Sequence, residues 1–239
     1  MSVLLIEDRG PVRILTMNRP EKRNALNTEL TKLLLDGLKQ ADRDDAVSCV
    51  VLTGAGKGFC AGADLGEFKD LTPANQRLVD ERAGLTMQLH LVFSKMQKPV
   101  VTAINGAAMG GGAGLAIAGD LAVMAEGATL GYPEARHGIV AAIVMANLVR
   151  QAGRKAAFEL VSLGEAIDAA RALDLGIVNR VVPESLSVAV EIAEKLSKLE
   201  PKALRATKTL FHEVADLPLE EALERGREAN RRMRAFRKA

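Results

Sequence analysis

The chain has 239 residues, of which 48% are hydrophobic, 26% are charged and only 3% are aromatic, and its formal net charge is +2. This composition is ordinary for a globular protein and leaves room for one large α/β domain with an aliphatic core. The small net charge and the scarcity of aromatic rings exclude a general nucleic-acid-binding surface, so we expect no nucleic-acid partner.

The number of cysteines and the short apolar run at the N-terminus limit the class of protein further. Cys49 and Cys60 are too few for a disulfide framework or a metal cluster. The first nine residues contain only four apolar residues before an acidic pair, so no signal-peptide core is expected there. No apolar run reaches the length of a membrane-spanning helix. We expect a cytoplasmic protein with no membrane partner and no bound metal.

The first half of the chain begins with strand and helix signals. Aliphatic runs at 3–6 and 12–17 flank a turn around Gly10 and predict an opening hairpin. Asn27 or Thr28 then caps a helix whose leucines recur every three or four residues. A buried strand is predicted at 48–53, and it ends in a glycine-rich loop.

Short strands and helices alternate along the rest of the chain. Further strands are predicted at 99–104, 121–125, 129–132 and 177–182. Helices are predicted at 72–96, 113–118, 186–199, 201–214 and 219–236. The sequence therefore predicts an α/β core over residues 1–183 and a helical C-terminal region over 184–239.

Two glycine-rich loops each follow a predicted strand. They are 54–64, with the sequence GAGKGFCAGAD, and 105–115, with the sequence NGAAMGGGAGL. Glycine permits positive φ and close approach of the backbone, so amide N–H groups in such loops can point at an anionic oxygen. Neither loop has the spacing of a phosphate-binding P-loop or of a dinucleotide fingerprint. The glycines by themselves also fit tight turns and close packing.

Glu134 is the candidate acid/base of the chain. It follows a short predicted strand and Pro133, whose ring fixes its own φ and restricts the residue before it. The carboxylate is therefore expected on a stiffened loop, although a surface acid has the same local pattern. His90 and His212 lie in predicted helices and are expected to be surface or packing residues, and His137 lies three positions after Glu134.

Five motifs occur in a fixed order along nearly the whole chain. They are NRPEKRNALN at 18–27, FCAGADL at 59–65, the loop 105–115, Pro133-Glu134, and GIVNRVVP at 176–183. In order and spacing they resemble the enoyl-CoA hydratase/isomerase, or crotonase, family. The resemblance implies a crotonase-like spiral of ββα units, assembly as a homotrimer or homohexamer through residues 184–239, an acyl-CoA thioester as substrate, and no separate cofactor.

The resemblance also implies a set of site residues. Two backbone N–H groups, at Ala61 and Gly111, are expected to hold the thioester oxygen, and Glu134 is expected to move protons. Removing or adding the α-proton of a thioester places negative charge on that oxygen, and one such donor is worth about 2.7–4 kcal/mol. The contacts expected for the CoA and acyl groups are with Arg23, Ala25, Ala61, Gly62, Ala63, Asp64, Leu65, Gly111, Gly114 and Pro133.

Gly114 is where the chain departs from the hydratases that use two glutamates, since those carry one of the pair at this position. Water addition needs a base for the water and an acid for the α-carbon, and Glu134 alone must then do both. Reversible hydration of a 2-enoyl-CoA is the leading hypothesis. Isomerisation of a 3-enoyl-CoA and acyl-CoA binding without turnover remain alternatives. If the missing carboxylate limits hydration, a glutamate in place of Gly114 is expected to raise it.

Overall fold

Two sheets form the frame of the protein. The structure is a computed structural model and describes residues 2–69 and 71–236. Residues 237–239, the end of the predicted C-terminal region, lie outside the described residues. The strands in the described part are β1 (Leu4–Arg9), β2 (Val12–Met17), β3 (Cys49–Gly54), β4 (Gly58–Cys60), β5 (Val100–Ile104), β6 (Ala107–Met109), β7 (Leu121–Ala125), β8 (Thr129–Gly131), β9 (Ile167–Asp168) and β10 (Arg180–Val182).

Helices cover both sheets. In the described residues they are α1 (Thr28–Arg43), α2 (Gln76–Lys95), α3 (Gly111–Ala116), α4 (Ala142–Leu163), α5 (Ala169–Asp174), α6 (Ser185–Ser197), α7 (Pro201–Val214) and α8 (Leu219–Arg232), with short 3₁₀ turns between several of them. None of the described helices is long and apolar enough to cross a membrane.

The strands are shared between the sheets in a repeating way. The larger sheet has the order β1-β2-β3-β5-β7-β10, in which only the β1–β2 hairpin is antiparallel. The smaller sheet has the order β4-β6-β8-β9. Thus β3-β4-α2, β5-β6-α3 and β7-β8-α4 each place one strand in either sheet before a helix. This repeat confirms the predicted spiral of ββα units.

The smaller sheet begins inside the two glycine-rich loops, where the sequence predicted no strand. Ala107 pairs with Gly58, and Ala108 with Cys60, in parallel register between β4 and β6. Strands of only three residues, Gly-Phe-Cys in β4 and Ala-Ala-Met in β6, are too short to show an alternation of polar and apolar residues, which explains why they were not predicted. Their pairing sets the two glycine-rich loops side by side.

Local signals decide where several helices begin. The Asn27 side chain accepts a hydrogen bond from the Leu30 N–H (2.9 Å), as expected of an N-cap. Leu30, Leu34 and Leu38 follow at a spacing of four, and all three are fully buried. The predicted cap and the predicted apolar face of α1 are both confirmed.

The larger sheet is covered on both faces. On one face α6 packs Ala189, Ile192 and Ala193 against strand residues that include Val12 and Val51. The main core, with α1 to α4, is a separate cluster of buried side chains. The helix α6 therefore contributes to the core, although it belongs to the region predicted to form subunit contacts.

A buried ion pair attaches α7 to the rest of the chain. The Lys208 ammonium donates to the Asp120 carboxylate (2.7 Å) and to the Lys98 carbonyl (2.9 Å), and the His212 ring contacts the same carboxylate (3.1 Å). Burial alone would raise the pKa of Asp120, but the hydrogen bond from His212 and the charge of Lys208 lower it overall. The stabilisation from this carboxylate is therefore present above its unfolded-state pKa and is lost as pH falls through its lower folded-state pKa.

We expect Lys208→Met to reduce the free energy of unfolding by about 3–5 kcal/mol, because the Asp120 carboxylate then stays buried without its counter-charge. Urea denaturation at neutral pH measures this change. Lys202→Met is the matched control, since Lys202 is exposed on the same helix, and it should change stability by less than about 0.5 kcal/mol. Equal losses in the two variants would contradict a role for the ion pair.

Candidate active site

The segment 23–26 lies against the first glycine-rich loop. The Leu26 N–H donates to the Gly62 carbonyl (2.7 Å), and the Asp64 N–H donates to the Leu26 carbonyl (3.2 Å). Arg23 takes a left-handed conformation with φ of 50°. These contacts bring together the two segments that the sequence assigned to CoA, and they leave Arg23 and Leu65 exposed to solvent.

An ion pair fastens the same loop. Arg19 donates to the Asp64 carboxylate (2.8 Å), which also accepts from the Gly66 N–H (3.0 Å). The hydrogen bond from Arg19 lowers the pKa of Asp64, although burial opposes it. Asp64 is therefore a structural acid that holds the loop in shape.

Ala61 is not available as an oxyanion donor. Its N–H donates to the carbonyl of Arg23 (2.9 Å), so it is already used in joining the two segments. The prediction that Ala61 holds the thioester oxygen is therefore wrong.

Ala63 and Gly111 lie next to each other where the two loops meet. Ala63 forms an isolated parallel β-bridge with Leu26, and the hydrogen bonds of this bridge are made by Gly62 and Asp64 on either side of Ala63. The N–H of Ala63 itself therefore points away from the Leu26 segment. A Cβ placed on Gly111 would lie 3.8 Å from the Ala63 nitrogen. The Gly111 N–H is in the first turn of α3, where no carbonyl of the helix can accept it. Two main-chain donors are therefore adjacent and, among the described residues, have no acceptor.

Glycine is required where the loops meet. Gly62 has φ of +90°, and a Cβ on it would lie 2.6 Å from the Met109 carbonyl oxygen and 3.3 Å from the Gly111 nitrogen. Any side chain here would strain the backbone and push the loops apart. The close approach of the two loops thus depends on this one residue type.

Glu134 faces this junction. It lies in the 3₁₀ turn Pro133–His137, and its Oε1 would be 2.9 Å from a Cβ on Gly110. Its Oε2 is buried and has no hydrogen-bond partner in the described residues. Burial raises the pKa of Glu134, with a backbone hydrogen bond and the charge of His137 acting in the opposite direction. The carboxylate is thus held against the residue before Gly111 and is suited to exchanging a proton.

Tyr132 is a buried residue two positions before Glu134. The ring is fully buried, as expected of a packing residue, but its hydroxyl has no partner among the described residues. Burial, followed by the charge of Glu134, raises the pKa of Tyr132, so the phenol stays protonated.

His90 is a further residue of this region, and its burial agrees with the expectation of a surface or packing residue. It belongs to α2, is 6% exposed, and its Cε1 would lie 2.7 Å from a Cβ on Gly114. Val144 is also close, since its Cγ1 would be 2.5 Å from the same Cβ. Gly114 therefore does not leave open space for a second carboxylate. No local pattern distinguishes His90 from an ordinary helical residue, so only the tertiary structure reveals it.

A cavity of about 670 Å³ lies beyond His90. Its walls come mainly from α2, α4 and α7 and include Met87, Leu91, Ile143 and Phe211 together with His90. Glu134 is not among its lining residues. His90 therefore borders both this cavity and Gly114.

Comparison with known proteins identifies the family. The family model described as "Enoyl-CoA hydratase/isomerase" matches residues 7–236. A Thermus thermophilus protein, whose name places it among enoyl-CoA hydratases, is 41% identical over 219 residues, covering 90% of this chain and 85% of the relative. The 2,3-dehydroadipyl-CoA hydratase of Escherichia coli is 36% identical, covering 95% and 89% of the two chains.

The solved structures agree with this result. The enoyl-CoA hydratase of Mycobacterium smegmatis superposes with a TM-score of 0.92 at 30% identity, covering 98% of this chain and 91% of that one. Fold and sequence together define a crotonase-fold enzyme that handles acyl-CoA thioesters. The chain belongs to the enoyl-CoA hydratase/isomerase family.

We expect Gly114→Glu to destabilise the protein by about 1–3 kcal/mol and to lower its turnover, because the new side chain collides with Val144 and His90. Thermal unfolding and the hydration rate measure both effects. Gly127→Glu is the control, since no atom lies within 4 Å of a Cβ at Gly127. A rise in hydration with unchanged stability would instead support the idea that a carboxylate is merely missing at this position.

Proposed function

We propose that this protein catalyses the reversible hydration of a 2-enoyl-CoA. The Ala63 and Gly111 N–H groups hold the thioester oxygen, and Glu134 transfers the protons. The observation that carries this proposal is the placement of the Glu134 carboxylate against Gly110, beside two main-chain donors that have no acceptor among the described residues.

The chemistry follows from this arrangement. When the water oxygen bonds to the β-carbon, the electrons of the double bond move toward the thioester oxygen, where the two N–H groups stabilise the negative charge. Glu134 takes the proton that the water loses and delivers a proton to the α-carbon, which restores the thioester. Dehydration is the same sequence in reverse. The raised pKa of Glu134 suits a group that must both accept and release a proton.

Isomerisation is the second candidate, and the structure favours it at one point. Gly114 and its neighbours provide no second carboxylate. A single carboxylate, that of Glu134, is enough to move one proton between two carbons. Conversion of a 3-enoyl-CoA without uptake of oxygen from water would establish this activity. The names of the relatives from T. thermophilus and E. coli favour hydration.

Binding of CoA, assembly and location complete the proposal. Arg23, Ala25 and residues 61–65 would contact the CoA group, since exposed Arg23 and Leu65 flank the junction.

A homotrimer or homohexamer is supported by the large apolar side chains that α7 and α8 expose, among them Phe211 and Leu219. The free thiols of Cys49 and Cys60 support a reducing, cytoplasmic location.

Replacement of the proposed acid/base tests the mechanism. We expect Glu134→Gln to lower turnover of crotonyl-CoA by about 10²–10⁴-fold, because the amide keeps the shape but cannot transfer a proton. Uptake of labelled oxygen from water measures hydration, and calorimetric titration with CoA should show nearly unchanged affinity. Glu126→Gln, in an exposed turn, is the control. An unchanged rate would remove Glu134 from the mechanism.

The pH dependence should report the raised pKa of Glu134. Hydration requires the ionised carboxylate, and burial makes ionisation harder, so kcat/KM should fall on the acid side with an apparent pKa above 4.5, the ordinary value for glutamate. Initial rates measured across the acid range check this expectation. An acid limb at or below the ordinary value would show that the titrating group is not a buried glutamate.

A further inference from the structure

Arg82 carries a largely buried positive charge close to the first glycine-rich loop. It lies on α2, and its side chain is 12% exposed. Its guanidinium donates from Nη2 to the Leu26 carbonyl (2.8 Å) and from Nη1 to the Thr86 hydroxyl (2.6 Å). Burial lowers the pKa of Arg82, with the charge of Glu67 acting in the opposite direction, and an arginine side chain stays protonated at neutral pH. A full positive charge therefore rests against the main chain of the 23–26 segment.

The Leu26 carbonyl joins Arg82 to the proposed oxyanion donors. It also accepts from the Asp64 N–H (3.2 Å), and the Leu26 N–H donates to the Gly62 carbonyl (2.7 Å). These two bonds form the β-bridge between Leu26 and Ala63. Because the C=O and N–H of a trans peptide point in opposite directions, the Gly62 carbonyl held by Leu26 directs the Ala63 N–H to the other side. The direction of this N–H thus depends on where Leu26 is held.

A second arginine fastens the ends of the same bridge. Arg19 donates to the Ala25 carbonyl (2.5 Å) and to the Asp64 carboxylate (2.8 Å). Arg19 belongs to the motif at 18–27, whereas Arg82 lies outside all five motifs. Arg19 therefore holds residues next to the bridge, and Arg82 is the arginine that contacts the bridging residue Leu26 itself.

Arg82 also attaches the N-terminal half of α2. Its Nε lies 3.6 Å from the Glu67 carboxylate, which accepts from the Thr28 N–H (2.8 Å). The side chains that α2 buries all belong to its C-terminal half, namely Leu89, His90, Val92 and Phe93. An apolar side chain would attach the helix without the desolvation of a charged group. The planar guanidinium adds a rigid donor, fixed by Thr86 and Glu67, against which the Leu26 carbonyl is held.

We propose that Arg82 is a positioning residue for the reaction: through the Leu26 carbonyl it holds the β-bridge that aims the Ala63 N–H at the thioester oxygen. The inference rests on the proposed role of Ala63 and Gly111 as donors to that oxygen. In this role Arg82 acts through Leu26 and does not contact the substrate. A hydrogen bond weakens steeply as its donor turns away from the acceptor, so loss of Arg82 slows every reaction that passes through the enolate.

The first test compares turnover with binding. Arg82→Met keeps an unbranched apolar stem but removes the charge and the donors. We expect it to lower kcat for crotonyl-CoA by about 10–10²-fold, less than the loss of a whole oxyanion donor, and to leave KM nearly unchanged. Exchange of the α-hydrogens of butyryl-CoA in deuterium oxide passes through the same enolate and should fall by a similar factor. Arg82→Lys, which still donates to a carbonyl, should recover part of both rates.

Infrared spectroscopy of the bound thioester reports the hydrogen bond directly. Hydrogen bonds to a carbonyl oxygen weaken the C=O bond and lower its stretching frequency. Crotonyl-CoA with an isotopically labelled carbonyl should show this lowered frequency when bound to the Glu134→Gln variant, which does not turn it over. Adding Arg82→Met to that variant should move the frequency back toward that of the free thioester. A residue that only attached α2 would change thermal stability and leave the frequency where it was.

Controls make the result specific. Arg77→Met is the matched variant, since Arg77 lies on the same helix, is 88% exposed and pairs with Glu81 one turn further on (2.9 Å). Its rates and its carbonyl frequency should equal those of the wild type. If Arg82→Met does not fold, the same measurements are made on Thr86→Val, which removes one partner of the guanidinium and should give a smaller change in the same direction.

Two outcomes would overturn the inference. An unchanged kcat and an unchanged carbonyl frequency in folded Arg82→Met would show that Arg82 only attaches α2. A raised KM with an unchanged kcat would place its effect in substrate binding instead. The proposed hydration fails in a different way: the wild-type protein would then add no oxygen to crotonyl-CoA, although the frequency of the bound carbonyl was still lowered. The effect of Arg82→Met on that frequency and on α-hydrogen exchange would decide the inference even then.

Discussion

The close contact between two glycine-rich loops is the constraint on which the candidate site depends. Parallel pairing of β4 with β6 brings the loops together, and at Gly112 a Cβ would lie only 2.2 Å from the Cys60 carbonyl oxygen. Side chains are therefore excluded from the junction, and backbone amides take their place. Among the described residues, the N–H groups of Ala63 and Gly111 are left without an acceptor at this junction.

The same constraint concentrates unsatisfied polar groups near the junction. Glu134, Tyr132 and His90 each bury at least one polar atom without a partner in the described residues. Such burial opposes folding, because a desolvated polar group loses its hydrogen bonds to water. The burial of aliphatic side chains on both faces of the larger sheet offsets this loss of stability.

Much of the fold was predictable because its signals are local. The opening hairpin, the Asn27 cap and the bounds of α7 follow from turn residues, capping and apolar spacing within a few positions. The strands β4, β6 and β9 were not predicted, since each has two or three residues and exists only through pairing with a distant strand. The strand predicted at 177–182 is shorter in the structure, at Arg180–Val182, because Ile177 and Val178 are buried in the main core rather than paired.

The sequence by itself determined the family, the acid/base candidate Glu134 and the loops that carry the main-chain donors, because these depend on residue types that stand in a fixed order along the chain. Only the tertiary structure decided which amides are unpaired. It showed that Ala61 is bonded to Arg23 and that Ala63 is not, a distinction that rests on hydrogen bonds between separate segments. It alone placed His90 beside Gly114, since contacts between α2 and α3 arise from packing and leave no local pattern in the sequence.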